Sequence, residues 1–204
     1  MNRAQIKDWA KKKIKGHVWE ILIAIIITSL LTGLTVGQSA KWEDGKFIYH
    51  QGYQIGAILF CFVNVGFAAY MIKFVNDKER SYKELFDYYK DFVRIFVTQL
   101  LSGIFIMLWT LLLIVPGIIK AISYSLVNII LSDEKYKDLS YMDVLKKSET
   151  LMNGHKMDYF VLQLSFIGWH LLAILTLGIL EIWIAPYQET ATYKFLNDII
   201  KEDK

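Results

Sequence analysis

Residues 95–119 contain no charged side chain and no histidine. About 20 largely apolar residues in a helix cross the roughly 30 Å hydrocarbon core of a bilayer, at about 1.5 Å per residue. Other runs behave alike. Residues 21–36 are apolar apart from Thr, Ser and Gly; 55–72 carry no charge; 121–131 carry none beyond Lys120; and 159–180 carry only His170. A chain so patterned folds with its polar groups outside the membrane or paired within it.

Two of the runs are too long for one crossing. The first breaks at Pro116-Gly117, where proline lacks an amide hydrogen and restricts the residue before it. The other breaks at Thr176-Leu177-Gly178. The expected architecture is an all-α integral membrane protein with six transmembrane helices in three helical hairpins. The spans fall at about 18–36, 53–74, 95–115, 118–132, 158–175 and 179–196, and residues 1–204 form a single membrane domain. The sixth span is the weakest. After Pro186 it reads Tyr187, Gln188, Glu189, Thr190, Ala191, Thr192, Tyr193. That segment is either buried in the bundle or leaves the membrane near Pro186, because polar groups facing lipid are costly. A cleavable signal peptide is the competing reading of the first run; the run is at the long end for one, and more spans follow.

Charge sets the expected orientation. Of 23 Lys and Arg residues, twenty fall at the N-terminus, in the 73–94 and 132–158 connections and at the C-terminus. Lys41 and Lys46 lie in the 37–52 loop, and Lys120 lies within a span. The positive-inside rule places the basic face and both termini in the cytoplasm of a multi-pass cell-membrane protein. The net charge of +3 then reads as juxtamembrane Lys beside anionic headgroups. It is no nucleic-acid footprint, since no groove-binding motif accompanies it.

Each hairpin follows a segment that reads as a cytoplasmic amphipathic helix. Ser81 with Glu84, and Ser140 with Asp143, have capping-box spacing; Asn2 with Gln5 is the N-terminal counterpart. Gly16-His17 precedes the first span and Gly154-His155 the fifth. The unit of one amphipathic helix plus one hairpin is thus expected three times.

Several stretches carry a resemblance: residues 116–125 (Pro-Gly-Ile-Ile-Lys-Ala-Ile-Ser-Tyr-Ser), 151–156 (Leu-Met-Asn-Gly-His-Lys), 164–169 (Leu-Ser-Phe-Ile-Gly-Trp), 175–179 (Leu-Thr-Leu-Gly-Ile) and Pro186-Tyr187. With these, the chain resembles the bacterial membrane proteins of the domain of unknown function 975 (DUF975) family. The likeness covers essentially the whole chain and is strongest from about 94 to 196. It implies a multi-spanning protein without an established activity. A more distant likeness is to the membrane-embedded part attached to some glycerophosphodiester phosphodiesterases, whose catalytic part has no counterpart here.

No catalytic signature is present. His17, His50, His155 and His170 are scattered, Cys61 stands alone, and no zinc-protease, nucleophile-elbow, Walker or dinucleotide pattern occurs. Paired intramembrane aspartates are also missing. The expectation is a protein that is not an enzyme, with no catalytic, cofactor-binding or metal-ligating residues and no cofactor.

Ionisable and polar groups inside spans are the best functional lead, because they are expensive there. The candidate intramembrane polar site comprises Lys120, Tyr124, Gln163, His170, Glu181, Tyr187 and Glu189. Lys120 and Glu181 each lie three residues past a hairpin glycine, which suggests an ion pair between hairpins. The expected function is binding or transport of a small or lipid-like molecule. The alternative is a membrane interaction, accessory or protective role, as a partner subunit or a membrane-peptide immunity factor. A protein partner or a homo-oligomer is left open, as is interhelical hydrogen bonding as the sole task of the polar groups.

Overall fold

The computed structural model describes residues 3–36, 39–43, 46–50, 53–54 and 56–202. Helices dominate it. α1 (Arg3–Lys13) meets α2 (Val18–Thr32) at a 99° bend, past Gly16. Asn2, the expected first cap, lies outside the described residues. Beyond α2 the otherwise helical chain also forms two short antiparallel strand pairs. β1 (Thr35–Val36) pairs antiparallel with β4 (Tyr53–Gln54), and β2 (Ser39–Glu43) with β3 (Lys46–His50). The strands are rich in β-prone Trp, Phe, Ile and Tyr, and Asp44-Gly45 between them is a favoured hairpin sequence.

α3 (Gly56–Leu59) leads into α4 (Cys61–Val75), the central helix. α4 touches α2, α5, α7 and α10. The two apolar clusters of the core both draw on it, one through Val65 and Ala68, the other through Val63, Met71 and Phe74. Past α4 the expected capping box is present: Ser81 Oγ accepts from Lys83 N, and Glu84 Oε1 accepts from Ser81 N at 3.1 Å. The segment it opens is not an amphipathic α-helix. Tyr82–Leu85 and Asp87–Asp91 form tighter 3-10 turns. The backbone carbonyls of Glu84 and Leu85 lie so close to α4 that a Cβ on Gly66 would meet them at 2.6 and 2.5 Å. Only glycine allows that approach.

α5 (Phe92–Leu112) and α6 (Ile114–Ser123) form the expected second hairpin, but the turn is displaced. The chain reverses at Leu113, which is extended (φ −159°, ψ 141°), and Pro116 and Gly117 belong to the first turn of α6. Proline is tolerated there because the early amides of a helix have no acceptor. The helix loosens at 124–126 and resumes as α7 (Val127–Ser132), which packs on α4.

α8 (Tyr141–Leu151) begins at Ser140, whose Oγ accepts from Asp143 N as the spacing predicts. It buries Val144, Leu145 and Ser148 and lies against α5 and α7. α9 (Lys156–Leu175) follows Gly154-His155. Gly16 and Gly154, both just before the helix that follows, share a φ of +86°. The third hairpin turns at the expected place, with Leu177 at φ 53° and Gly178 at φ 86°. α10 (Glu181–Glu202) continues through Pro186, so the polar segment 187–193 is helical. Thr190, Ala191 and Thr192 are buried in the bundle. α1 lies along α10, with Ile6 and Ala10 buried, and Lys7 Nζ reaches Ser165 Oγ of α9 at 3.1 Å.

The expected six spans are not all present by length and composition. Among the described residues three helical stretches qualify: Tyr82–Leu112, Ile114–Ser132 and Lys156–Leu175. Arg3–Lys13 with Val18–Thr32 makes a fourth if the bent pair counts as one. α4 is apolar but only 15 residues long. α10 has 22 residues, but Glu189, Lys194, Asp198 and Lys201 break its apolar character. The qualifying helices turn apolar side chains outward, including Met107, Leu111, Leu112, Ile174 and Leu175.

Candidate functional site

α2, α4, α7 and α10 do not close completely against one another. Between them lies a cavity of about 250 Å³. On the α10 side it is lined by Glu189 and Tyr193, one turn apart. Asn64 and Phe67 come from α4, and Asn128 from α7. α2 supplies Ile25, Thr28, Ser29 and Thr32. α7, beyond the looser turn at 124–126, packs on α4 and so brings Asn128 to the cavity.

The lining is held in place from behind. Gln99 of α5 donates from Nε2 to Asn128 Oδ1 at 3.1 Å and to the Cys61 carbonyl at 3.3 Å. Thr28 Oγ1 donates to the Ala24 carbonyl at 2.9 Å, and Thr32 Oγ1 to the Thr28 carbonyl at 2.7 Å. Each threonine proton is thus committed to its own helix, and only lone pairs remain for anything in the cavity. Thr190 Oγ1 donates to the Pro186 carbonyl at 2.7 Å. The Tyr193 ring meets Phe67 edge-on, with centroids 5.8 Å apart.

Glu189 is half-buried and lines the cavity. It forms no hydrogen bond or ion pair with any described residue. No Lys, Arg or His lines the cavity. Among the described residues, no group of three His, Cys, Asp or Glu side chains is placed to hold a metal ion.

The remaining expected site residues separate into three places. Gln163, His170 and Glu181 do come together, in a ladder of hydrogen bonds between α9 and α10. Gln163 Nε2 donates to Thr192 Oγ1 at 3.0 Å, and Gln188 Nε2 donates to Gln163 Oε1 at 2.9 Å. His170 Nε2 lies 2.6 Å from Gln188 Oε1, and its Nδ1 lies 3.2 Å from Glu181 Oε2. Each ring nitrogen thus has an oxygen partner on α10.

Lys120 and Tyr124 are neighbours, with the ammonium 5.7 Å from the ring centroid. The expected Lys120–Glu181 ion pair is not formed. Lys120 Nζ pairs with Glu149 of α8 at 2.8 Å, while Glu181 is engaged by His170. The turn at Leu113 places Lys120 well inside α6, on the side where α8 packs. Tyr187 stands apart. Its ring packs edge-on against Phe166 at 5.2 Å, where Lys7 sits 4.4 Å from the Phe166 ring centroid.

Thr28, Thr32, Asn64, Asn128 and Tyr193 were missed as site residues. Asn64 and Asn128 are amides within otherwise apolar runs, and weighing every span equally would have singled them out. A second, larger hollow of about 650 Å³ is lined by Lys73, Lys78 and Lys201 but also by Asp133 and Glu134. Its mixed charges give it no clear selectivity.

The sequence profile of the family described as "Protein of unknown function (DUF975)" matches residues 1–139 and 111–203. The chain belongs to this family. No curated protein and no solved structure matches it. The family's description names no activity, so the cavity itself carries the functional reading.

Proposed function

We propose that this is a multi-pass membrane protein that binds a small polar solute beside Glu189 and carries it across the bilayer. The observation behind this reading is the cavity. A polar, carboxylate-bearing hollow between four helices of an apolar protein is expensive to maintain, and a closed, dry bundle would serve a purely structural role better. The small cavity suits a molecule smaller than the drug-sized ligands that fill pockets of about 300–1,000 Å³.

In this reading the basic face is cytoplasmic, as are both termini. α4 and α10 also run within the membrane, where neighbouring helices screen them from lipid. The β2–β3 ribbon, with Lys41 and Lys46, then lies outside. The matched backbone at Gly16 and Gly154 supports a repeated unit of short helix, glycine bend and long helix.

Two experiments test this. In a variant with Cys61→Ala, a cysteine at Lys46 should react with an impermeant maleimide on intact cells, and one at Lys137 should not. The opposite pattern would reject the orientation. For transport, proteoliposomes loaded with radiolabelled small amines, polyols and amino acids should release at least one of them faster than protein-free vesicles. They should lose that flux with Glu189→Gln. Absence of flux for every class would leave the chain without a transport role.

A further inference from the structure

We propose that the solute beside Glu189 is a small organic ammonium ion. This rests on the reading of the cavity as a solute site and adds the chemical class of what fills it.

Charge comes first. Glu189 is the one acidic side chain lining the cavity, and no basic side chain faces it. An isolated carboxylate in a low-dielectric interior is costly unless it is neutralised. A bound cation supplies that neutralisation, whereas an anion would add like charge.

The hydrogen-bonding pattern is the second argument. Thr28 and Thr32 have already donated their protons to carbonyls of α2. Their oxygens face an occupant as acceptors, as does the Glu189 carboxylate. An ammonium ion with N–H groups is donor-only and matches these three acceptor groups, while the amides of Asn64 and Asn128 elsewhere on the wall can donate to a hydroxyl on the same ligand. A quaternary ammonium lacks N–H groups but keeps the charge and the attraction to aromatic rings. Phe67 and Tyr193 supply those rings at the wall, and such faces attract organic cations.

Size separates an organic cation from a metal ion. Hard cations are held by several oxygens at about 2.0–2.6 Å. A cavity of about 250 Å³ has room for roughly eight waters at about 30 Å³ each, so its walls would stand off a bare ion. A compact amine or choline-sized ion fills such a space while leaving its charged end on Glu189.

The test uses the purified full chain in lipid nanodiscs, titrated calorimetrically with three probes. Choline chloride is the cation, 3,3-dimethyl-1-butanol is its neutral isostere, and sodium chloride is the metal-ion control. Choline should bind saturably, the alcohol at least tenfold more weakly, and sodium should neither bind nor displace choline. Glu189→Gln should weaken choline binding at least tenfold. Should that variant fail to fold, the choline–alcohol comparison on the unaltered protein stands by itself. Equal affinity for alcohol and choline would overturn the ammonium assignment, as would saturable binding of sodium; either would leave the cavity as a solute site. If none of the three binds while the flux assay finds a polyol and no amine, the ammonium class alone is wrong. If neither assay finds a solute, the underlying reading falls with it.

Discussion

α4 and α9 look alike in sequence and live in different surroundings. Both are apolar helices with little amphipathic character. α4 buries residues on every side, from Cys61 and Val63 through Ala69 and Tyr70 to Val75. α9 buries only Leu162, Phe166 and Ala173 and turns Ile167, Leu171, Ile174 and Leu175 outward. High hydropathy therefore has two settings in one molecule. α4 is apolar with protein around it, whereas α9 is apolar on a side that the protein leaves uncovered, and is long enough to cross a membrane.

Small residues reveal the difference that hydropathy conceals. Gly66, Ala68 and Ala69 sit where neighbours press on α4, as small residues do at close helix contacts. Gly168 on α9 has nothing within 4 Å of where its Cβ would stand.

The comparison can be broken most directly by truncation. Phe74→Ala removes a side chain that is 1% exposed and should destabilise the protein by about 3–5 kcal/mol. Leu175→Ala, at a position 79% exposed, should stay within about 0.5 kcal/mol. Thermal unfolding in one detergent reads both, and comparable losses would mean that α9 is packed after all. Next in size is Gly66→Val. It should cost about 1–3 kcal/mol by pushing the 82–85 turn off α4, seen as faster proteolysis near Arg80; unchanged cleavage would show that the turn is free to move. Gly168→Ala should go the other way and stabilise by about 0.5–1 kcal/mol, since alanine is the better helix former and meets no neighbour. A lower unfolding midpoint would reveal a partner on that face.

The smallest effect concerns the end of α4. The Lys13 ammonium hydrogen-bonds to the Asp77 carboxyl and holds it below the usual aspartate range. A carboxylate depressed in this way stabilises the fold above its unfolded pKa, and that contribution disappears as pH falls through the folded value. The unfolding midpoint should therefore drop slightly in acid, and Asp77→Asn should flatten that slope. An identical slope in the variant would assign it to other carboxyls.

Much of this was legible in the sequence, for local reasons. Ser81 with Glu84, Ser140 with Asp143, and Thr176-Leu177-Gly178 specify backbone geometry within a few residues, and the structure forms a cap or a turn at each. Membership of the family was legible too, from motifs spread along the chain. Pro116-Gly117 misled, because the same pair that ends a helix also suits the first turn of the next one. Fewer helices qualify as spans than the sequence suggested because α4 stops at 15 residues and α10 carries charges through its second half. Lys120 was recognisable as a costly charge, but its partner Glu149 depends on α8 folding up against α6. Glu189 was likewise recognisable. Its neighbours Asn64, Asn128 and Thr28 belong to three other helices, and no spacing rule links them.

The Asn76–Asn197 clasp bears on how the molecule is made. Each amide donates to the other, at 2.9 and 3.3 Å, across 121 residues of chain. At roughly 5–20 residues per second, the ribosome adds α10 about 6–24 s after α4. During that interval α4 has no α10 to lie against, and the Asn64 wall of the cavity stands open. The second hairpin, joined by local contacts, can form meanwhile. The cavity is thus among the last parts of the protein to be completed, and a stalled or truncated nascent chain would expose it unfinished to a quality-control protease.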